Sequence, residues 1–221
     1  MHKLHHGLHQ FKTEVHAINE EFFGQLAKGQ SPDAVFITCS DSRIVPNLLT
    51  GTDPGQLFIL RNAGNIVPPH SDTVSGEEAT IEYAVDGLNI KNIIVCGHTK
   101  CGAMAGVLEP EKLSAMPNVE KWLLHASKTK ELVDKHYADL DFEFRHNVVV
   151  QENVLVQLEN LRALPCIARK IWKREVELHG WVYDIESGEV YVYNPIDEDF
   201  QPLRHGVDGG LELSEELSMP R

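Results

Sequence analysis

The chain has 221 residues, 42% of them hydrophobic and 24% charged, which is ordinary globular material with enough apolar content for one sizeable core. Lys and Arg total 20 against 33 Asp and Glu, and the resulting net charge of -13 lacks the footprint of a nucleic-acid or anionic-membrane binder. The first twenty residues hold no apolar signal core and no later apolar run approaches the ~20 residues of a bilayer span, so a cytoplasmic protein without membrane or nucleic-acid partners is expected.

Taken in chain order, residues 8–28 place Leu8, Phe11, Val15, Ile18, Phe22 and Leu26 at helical spacing, predicting an amphipathic arm within residues 1–28 that needs a partner surface. His2, His5, His6 and His9 read as a solvated helix and terminus. Pro32 ends that pattern, and Ala34 to Cys39 (AVFITC) predicts a short buried strand. A second strand is expected at Leu57 to Leu60, after the turn signal Asp53-Pro54-Gly55. Residues 75–88 open with Ser75 and acidic residues, a helix start, and lead into a third strand, Ile93 to Cys96. Helices follow near 102–108, 118–136 and 147–162, and a hairpin pairs Leu178 to Ile185 with Glu189 to Tyr193 around Ser187-Gly188. Apolar strands separated by helices require long crossovers, hence an α/β fold with a mostly parallel sheet flanked by helices and a C-terminal hairpin. One domain is expected over residues 1–203, with 204–221 a loose tail.

Two expected strand ends carry soft metal ligands: Cys39 closes the first, and Cys96, His98 and Cys101 close the third. In a doubly wound sheet, ligands bind beyond the carboxyl ends of strands where strand order reverses, so donors from those two ends can converge. Two thiolates and one imidazole select zinc, and three protein ligands with a fourth position open is the catalytic pattern. Cys96 is the rival ligand, but within an apolar run it reads as a small core residue, as does Cys166. Directly after Cys39 come Asp41 and Arg43. Such a pair is commonly a surface ion pair worth little. Beside zinc, the guanidinium can hold the carboxylate bidentately, so that Asp41 accepts a hydrogen bond from water at the metal instead of seizing the metal. Arg61 to Asn65 adds a dense polar run at the same edge, which is also the composition of a turn.

The strings CSDSR (39–43), RNAGNIVPP (61–69), EYAV (82–85) and GHTKCG (97–102), in this order and spacing, resemble the signature blocks of β-class carbonic anhydrases, and with flanking GQ (29–30) and HGW (179–181) the likeness covers roughly residues 25–195. The resemblance implies reversible hydration of carbon dioxide to bicarbonate, about one zinc per chain on Cys39, His98 and Cys101, and a dyad of Asp41 and Arg43. It also implies a substrate pocket between two subunits, placing Gln30, Phe58, Tyr83 and Gly102 at the substrate, and a homo-oligomer built from dimers. Some members carry an inhibitory bicarbonate site that uses a tryptophan three residues before the first zinc cysteine; this chain has Phe36 there, resembling the non-allosteric, plant-like subtype. Zinc supplies a nucleophile by lowering the pKa of its water, and two thiolates offset more of its charge than neutral imidazoles do, so activity should rise towards alkaline pH. Two other readings share these residues: hydrolysis of an analogue such as carbon disulfide, or a structural or redox-sensing zinc protein in which Asp41 closes the coordination sphere.

Overall fold

The computed structural model describes residues 1–205, 211–213 and 219. Four parallel strands form one side of the sheet: β1 (Ala34–Cys39), β2 (Leu57–Asn62), β3 (Asn92–His98) and β4 (Glu177–Tyr183). β5 (Val190–Asn194), β6 (Asp199–His205) and β7 (Leu211–Leu213) extend it antiparallel, in the order β2-β1-β3-β4-β5-β6-β7. All six residues of β1 are buried, as expected of a strand with neighbours on both edges and layers on both faces. From β1 the chain goes to β2 on one side, then crosses to β3 on the other, so strand order reverses between β1 and β3. The β4–β5 hairpin pairs Trp181 with Val192, as the turn chemistry predicted.

β6 has no counterpart in the sequence reading, because its DFQPLRH run carries Pro202 and two charges instead of an alternating apolar pattern. Of the expected tail from 204 onward, much lies outside the described residues; Leu211–Leu213 pairs with β6, and Met219 is buried with its N–H donating to the Phe200 carbonyl at 2.8 Å.

The N-terminal arm is helical throughout but not one α-helix: α1 (His2–Gln10) passes into a π segment (Phe11–His16), a 3₁₀ turn (Ala17–Asn19) and α2 (Glu20–Leu26). Side-chain donors bond back to the preceding turn here, Thr13 Oγ1 to the His9 carbonyl at 3.0 Å and Asn19 Nδ2 to that of Val15 at 2.7 Å, and such bonds compete with the α-helical ladder. The arm leaves Leu4, Leu8 and Ile18 64, 69 and 78% exposed.

α3 (Pro46–Thr50) and α9 (Pro165–Trp172) were not anticipated; both begin at a proline, which at the first helical position costs no hydrogen bond. α4 (Gly76–Glu82) starts where Ser75 Oγ accepts from Glu78 N–H at 3.0 Å, and it continues as a π turn over Tyr83–Gly87. α5 (Gly102–Leu108), α6 (Pro117–Leu123) and α7 (Ser127–Tyr137) precede the long α8 (Phe142–Ala163), which Asp141 caps five residues before its expected start.

α8 seats directly on β3 and β4 because glycines face it. A Cβ on Gly97 would lie 2.9 Å from Val154 Cγ2 and 3.1 Å from Val150 Cγ1, and one on Gly180 3.0 Å from Leu158 Cδ1. Gly97→Val is therefore expected to destabilise the protein by about 1–3 kcal/mol through overpacking, read as a lowered urea midpoint of the zinc-loaded protein. An unchanged midpoint would show that α8 withdraws freely.

Candidate metal centre

Cys39 ends β1, His98 ends β3, and the turn after His98, with Lys100 in the left-handed region at φ 56°, returns Cys101 to the same edge as the first residue before α5. The ligand atoms of these three buried residues lie within 4.8 Å of one another, with the two sulfurs 3.9 Å apart. Two thiolates at about 2.3 Å from a tetrahedral zinc would be about 3.8 Å apart, so the spacing fits that ion. His98 Nδ1 donates to the Thr99 carbonyl at 2.9 Å, which leaves the lone pair on Nε2; that atom is buried without a hydrogen-bond partner. A buried acceptor without a partner is costly, and a bound cation removes the cost. The donor set and the orphaned nitrogen together fit zinc.

Cys96, the rival ligand, packs with Phe36, Ala34, Ile44 and Ile94 on the other face of the sheet from Cys39, and burial pushes its thiol up. Cys166 is likewise buried, at the start of α9.

The metal-free electrostatics follow from one shared proton. Hydrogen bonding from Cys101 holds Cys39 as a thiolate, against the desolvation that opposes it; the same contact and burial push the Cys101 thiol well up. Gly64 N–H points at Cys39 Sγ from 3.4 Å, in a turn with φ +86° where an added Cβ would lie 2.9 Å from Met104 Cε. Zinc binding must therefore expel about one proton, from Cys101. Apparent zinc affinity of the metal-free protein should rise about tenfold per pH unit near neutrality, measured by competition with a chromophoric chelator. A flat profile would mean both sulfurs are already ionised.

Asp41 is held by three bonds from Arg43: the backbone N–H and Nε donate to Oδ1 at 2.9 Å each, and Nη2 to Oδ2 at 2.7 Å. Nη2 also donates to the Lys100 carbonyl at 3.0 Å, tying the loop after β1 to the turn after β3. The Arg43 guanidinium holds the Asp41 carboxyl well below the usual carboxylate range, and Oδ2 lies 3.9 Å from His98 Nε2. The dyad thus sits at the metal ligands, fully ionised at neutral pH.

Several supporting residues were given no role by the sequence. Arg61, read as part of a polar run and of the RNAGNIVPP block, donates to the carbonyls of Cys39, Asp41 and Ile44 at 2.7–3.0 Å and so staples the CSDSR loop. Thr99, whose carbonyl orients His98, is gripped by the end of β4: its N–H donates to the Tyr183 carbonyl and its hydroxyl to Asp184 Oδ1, both at 3.0 Å. His146 on α8 lies with Nε2 2.8 Å from the Cys101 carbonyl. Such outer contacts fix the orientation of metal ligands. Of the expected substrate residues, Phe58 and Tyr83 meet, their ring centroids 6.1 Å apart, and Tyr83 is 53% exposed; Gln30 and Gly102 are exposed, Gly102 opening α5 beside Cys101.

The family model described as "Carbonic anhydrase" matches residues 34–190. A protein of Synechococcus elongatus named carbonic anhydrase is 46% identical over 191 residues, 86% of this chain and 70% of its own. One of Pseudomonas aeruginosa with the same name is 44% identical over 184 residues, 83% of each chain. The solved structure of the β-carbonic anhydrase CcaA superposes with a TM-score of 0.88 at 44% identity, covering 90% of this chain and 98% of that one. A tetrameric β-carbonic anhydrase of Sordaria macrospora gives 0.77 at 33%, covering 87% and 97%. With two cysteines and one histidine converging at the strand-order reversal and a family match across all four parallel strands, this chain belongs to the β class of the carbonic anhydrases.

Proposed function

We propose that this chain catalyses the reversible hydration of carbon dioxide to bicarbonate and a proton, on one zinc ion held by Cys39, His98 and Cys101. The observation that carries this reading is the buried, partnerless His98 Nε2 facing two cysteine sulfurs, with a carboxylate beside it that arginine holds bidentately. Bound there, zinc acidifies a water molecule to provide a nucleophile near neutral pH. The remaining chemistry belongs to the chain. The Thr99 carbonyl fixes the His98 tautomer, and the two thiolates reduce the local positive charge. Asp41 accepts a hydrogen bond at Oδ2 and orients the attacking water's lone pair towards carbon dioxide. Its depressed pKa makes it a poor store for the proton, which passes on to solvent. Phe58 and Tyr83, with Gln30 and Gly102, provide the substrate side of the site.

The arm supports an assembly built from dimers. Its exposed Leu4, Leu8, Phe11, Val15 and Ile18 form an apolar surface that a second copy would cover, and one solved relative is described as tetrameric. The acidic composition and the lack, among the described residues, of any helix long and apolar enough to cross a membrane accord with a cytoplasmic enzyme. A closed structural zinc site is disfavoured because Arg43 holds Asp41, an extra ligand at hand, in place bidentately through Nε and Nη2. Stopped-flow carbon dioxide hydration with metal analysis and sedimentation of the same sample tests the whole reading. Active dimers or larger species with about one zinc per chain are expected; zinc-loaded protein that does not hydrate carbon dioxide, or that turns over only carbon disulfide, would refute it.

A further inference from the structure

The catalytic reading leaves four histidines of the arm without a role. His2, His5, His6 and His9 all lie on α1, and all four are exposed. At 3.6 residues per turn they fall within an arc of about 100° on one helix face, and they form two i, i+4 pairs, His2 with His6 and His5 with His9. Residues so spaced have Cβ atoms about 5–6 Å apart, so both imidazoles of a pair can reach one ion, as the two histidines of a helical H-E-x-x-H motif do. The apolar stripe of Leu4, Leu8 and Phe11 is centred about 140° away around the same helix. A surface covering those apolar residues would therefore leave the histidine face in solvent. No acidic residue lies in the first turn of α1 to offer oxygen ligands, so the face presents imidazole.

The geometry points to a second metal site on the arm: an exchangeable site for borderline divalent transition metals of the nickel, copper and zinc kind, built on these two i, i+4 histidine pairs. Imidazole donors without carboxylates favour these ions over magnesium or calcium. Without thiolates and open to solvent, the site holds its ion less tightly than the buried centre does. It follows the sequence spacing alone, whereas Cys39, His98 and Cys101 are, among the described residues, the group whose ligand atoms already converge.

The probe is Ni²⁺, dialysed against the zinc-loaded full-length protein, with both metals measured in the retained sample. Wild type should gain about one nickel per chain while keeping its zinc, and excess Mg²⁺ should not compete. Losing one arm of a chelate forfeits the high effective concentration of the second ligand, so His2→Ala/His9→Ala, which breaks both pairs and leaves the adjacent His5 and His6 facing apart, should weaken nickel binding on the order of a hundredfold. Alanine raises helix propensity at exposed positions, so this variant retains the arm. His16→Ala, which removes a ring stacked on Phe23 instead, should bind nickel as wild type does. Undiminished binding by His2→Ala/His9→Ala, nickel uptake matched by zinc loss, or no nickel uptake by wild type would overturn the assignment.

Discussion

Cys101→Ser is expected to yield folded protein with no stoichiometric zinc and carbon dioxide hydration slower by about a thousandfold or more. A metal that stabilises developing charge is worth several kcal/mol, and each 1.36 kcal/mol is a tenfold change in rate. The loss should be this complete because, among the described residues, no spare ligand stands ready to replace Cys101: Cys96 packs on the sheet face opposite Cys39, and Asp41 is held by Arg43. The matched variant is Cys96→Ser. Its hydroxyl would sit in a fully buried apolar cluster beside Phe36, so it should retain zinc and activity per folded molecule while costing about 1–3 kcal/mol of stability. Metal analysis, hydration rates and denaturant midpoints on the two variants separate the roles. Zinc retained in Cys101→Ser and lost in Cys96→Ser would reverse the ligand assignment.

Arg43→Ala should convert an open metal site into a closed one. In the structure the guanidinium and the Arg43 backbone together make three bonds to Asp41, and Oδ2 is already 3.9 Å from the ligating nitrogen of His98. With the side chain removed, the carboxylate keeps only its bond from the backbone N–H and is free to turn onto the cation. Zinc should remain bound, and hydration should fall by about 10²–10³-fold, the cost of losing a preorganised polar partner together with an open position. Binding of a sulfonamide or small anion to cobalt-substituted protein, followed by its visible spectrum, reads the open position directly. Wild type should bind, Arg43→Ala should not, and the double change Asp41→Ala/Arg43→Ala should bind again without regaining full activity. Equal binding by wild type and Arg43→Ala would reduce the pair to a structural ion pair. The sign with pH also follows: because Asp41's carboxyl is held low, its protonation contributes nothing to a rate profile between pH 5 and 9 in the wild type, and any rise towards alkaline pH in that range belongs to the metal centre.

Much of the fold was written in local pattern. Ala34 to Cys39 and Ile93 to Cys96 are continuous apolar β-branched runs, and Ser75 and the acidic residues after it announce a helix start, because burial and capping act over a few residues. The donors at two strand ends were legible for the same reason, since a strand end is visible where its apolar run stops. By itself, then, the sequence determined the α/β class, the soft donor set and the identity of the neighbouring dyad. What only the tertiary structure decided was which donors meet. Cys96 stands two residues before His98 and Cys101 three after it, and strand alternation alone would keep Cys96 on the side of His98; in the fold Cys96 packs among Phe36 and Ile94, away from Cys39, while the left-handed turn at Lys100 returns Cys101 to Cys39 and His98. The clamp of Asp184 on Thr99 and the reach of Arg61 over the CSDSR loop join residues 85 and about 20 positions apart; they exist because β3 pairs β4 and β1 pairs β2 in one particular register, and register is a property of the assembled sheet.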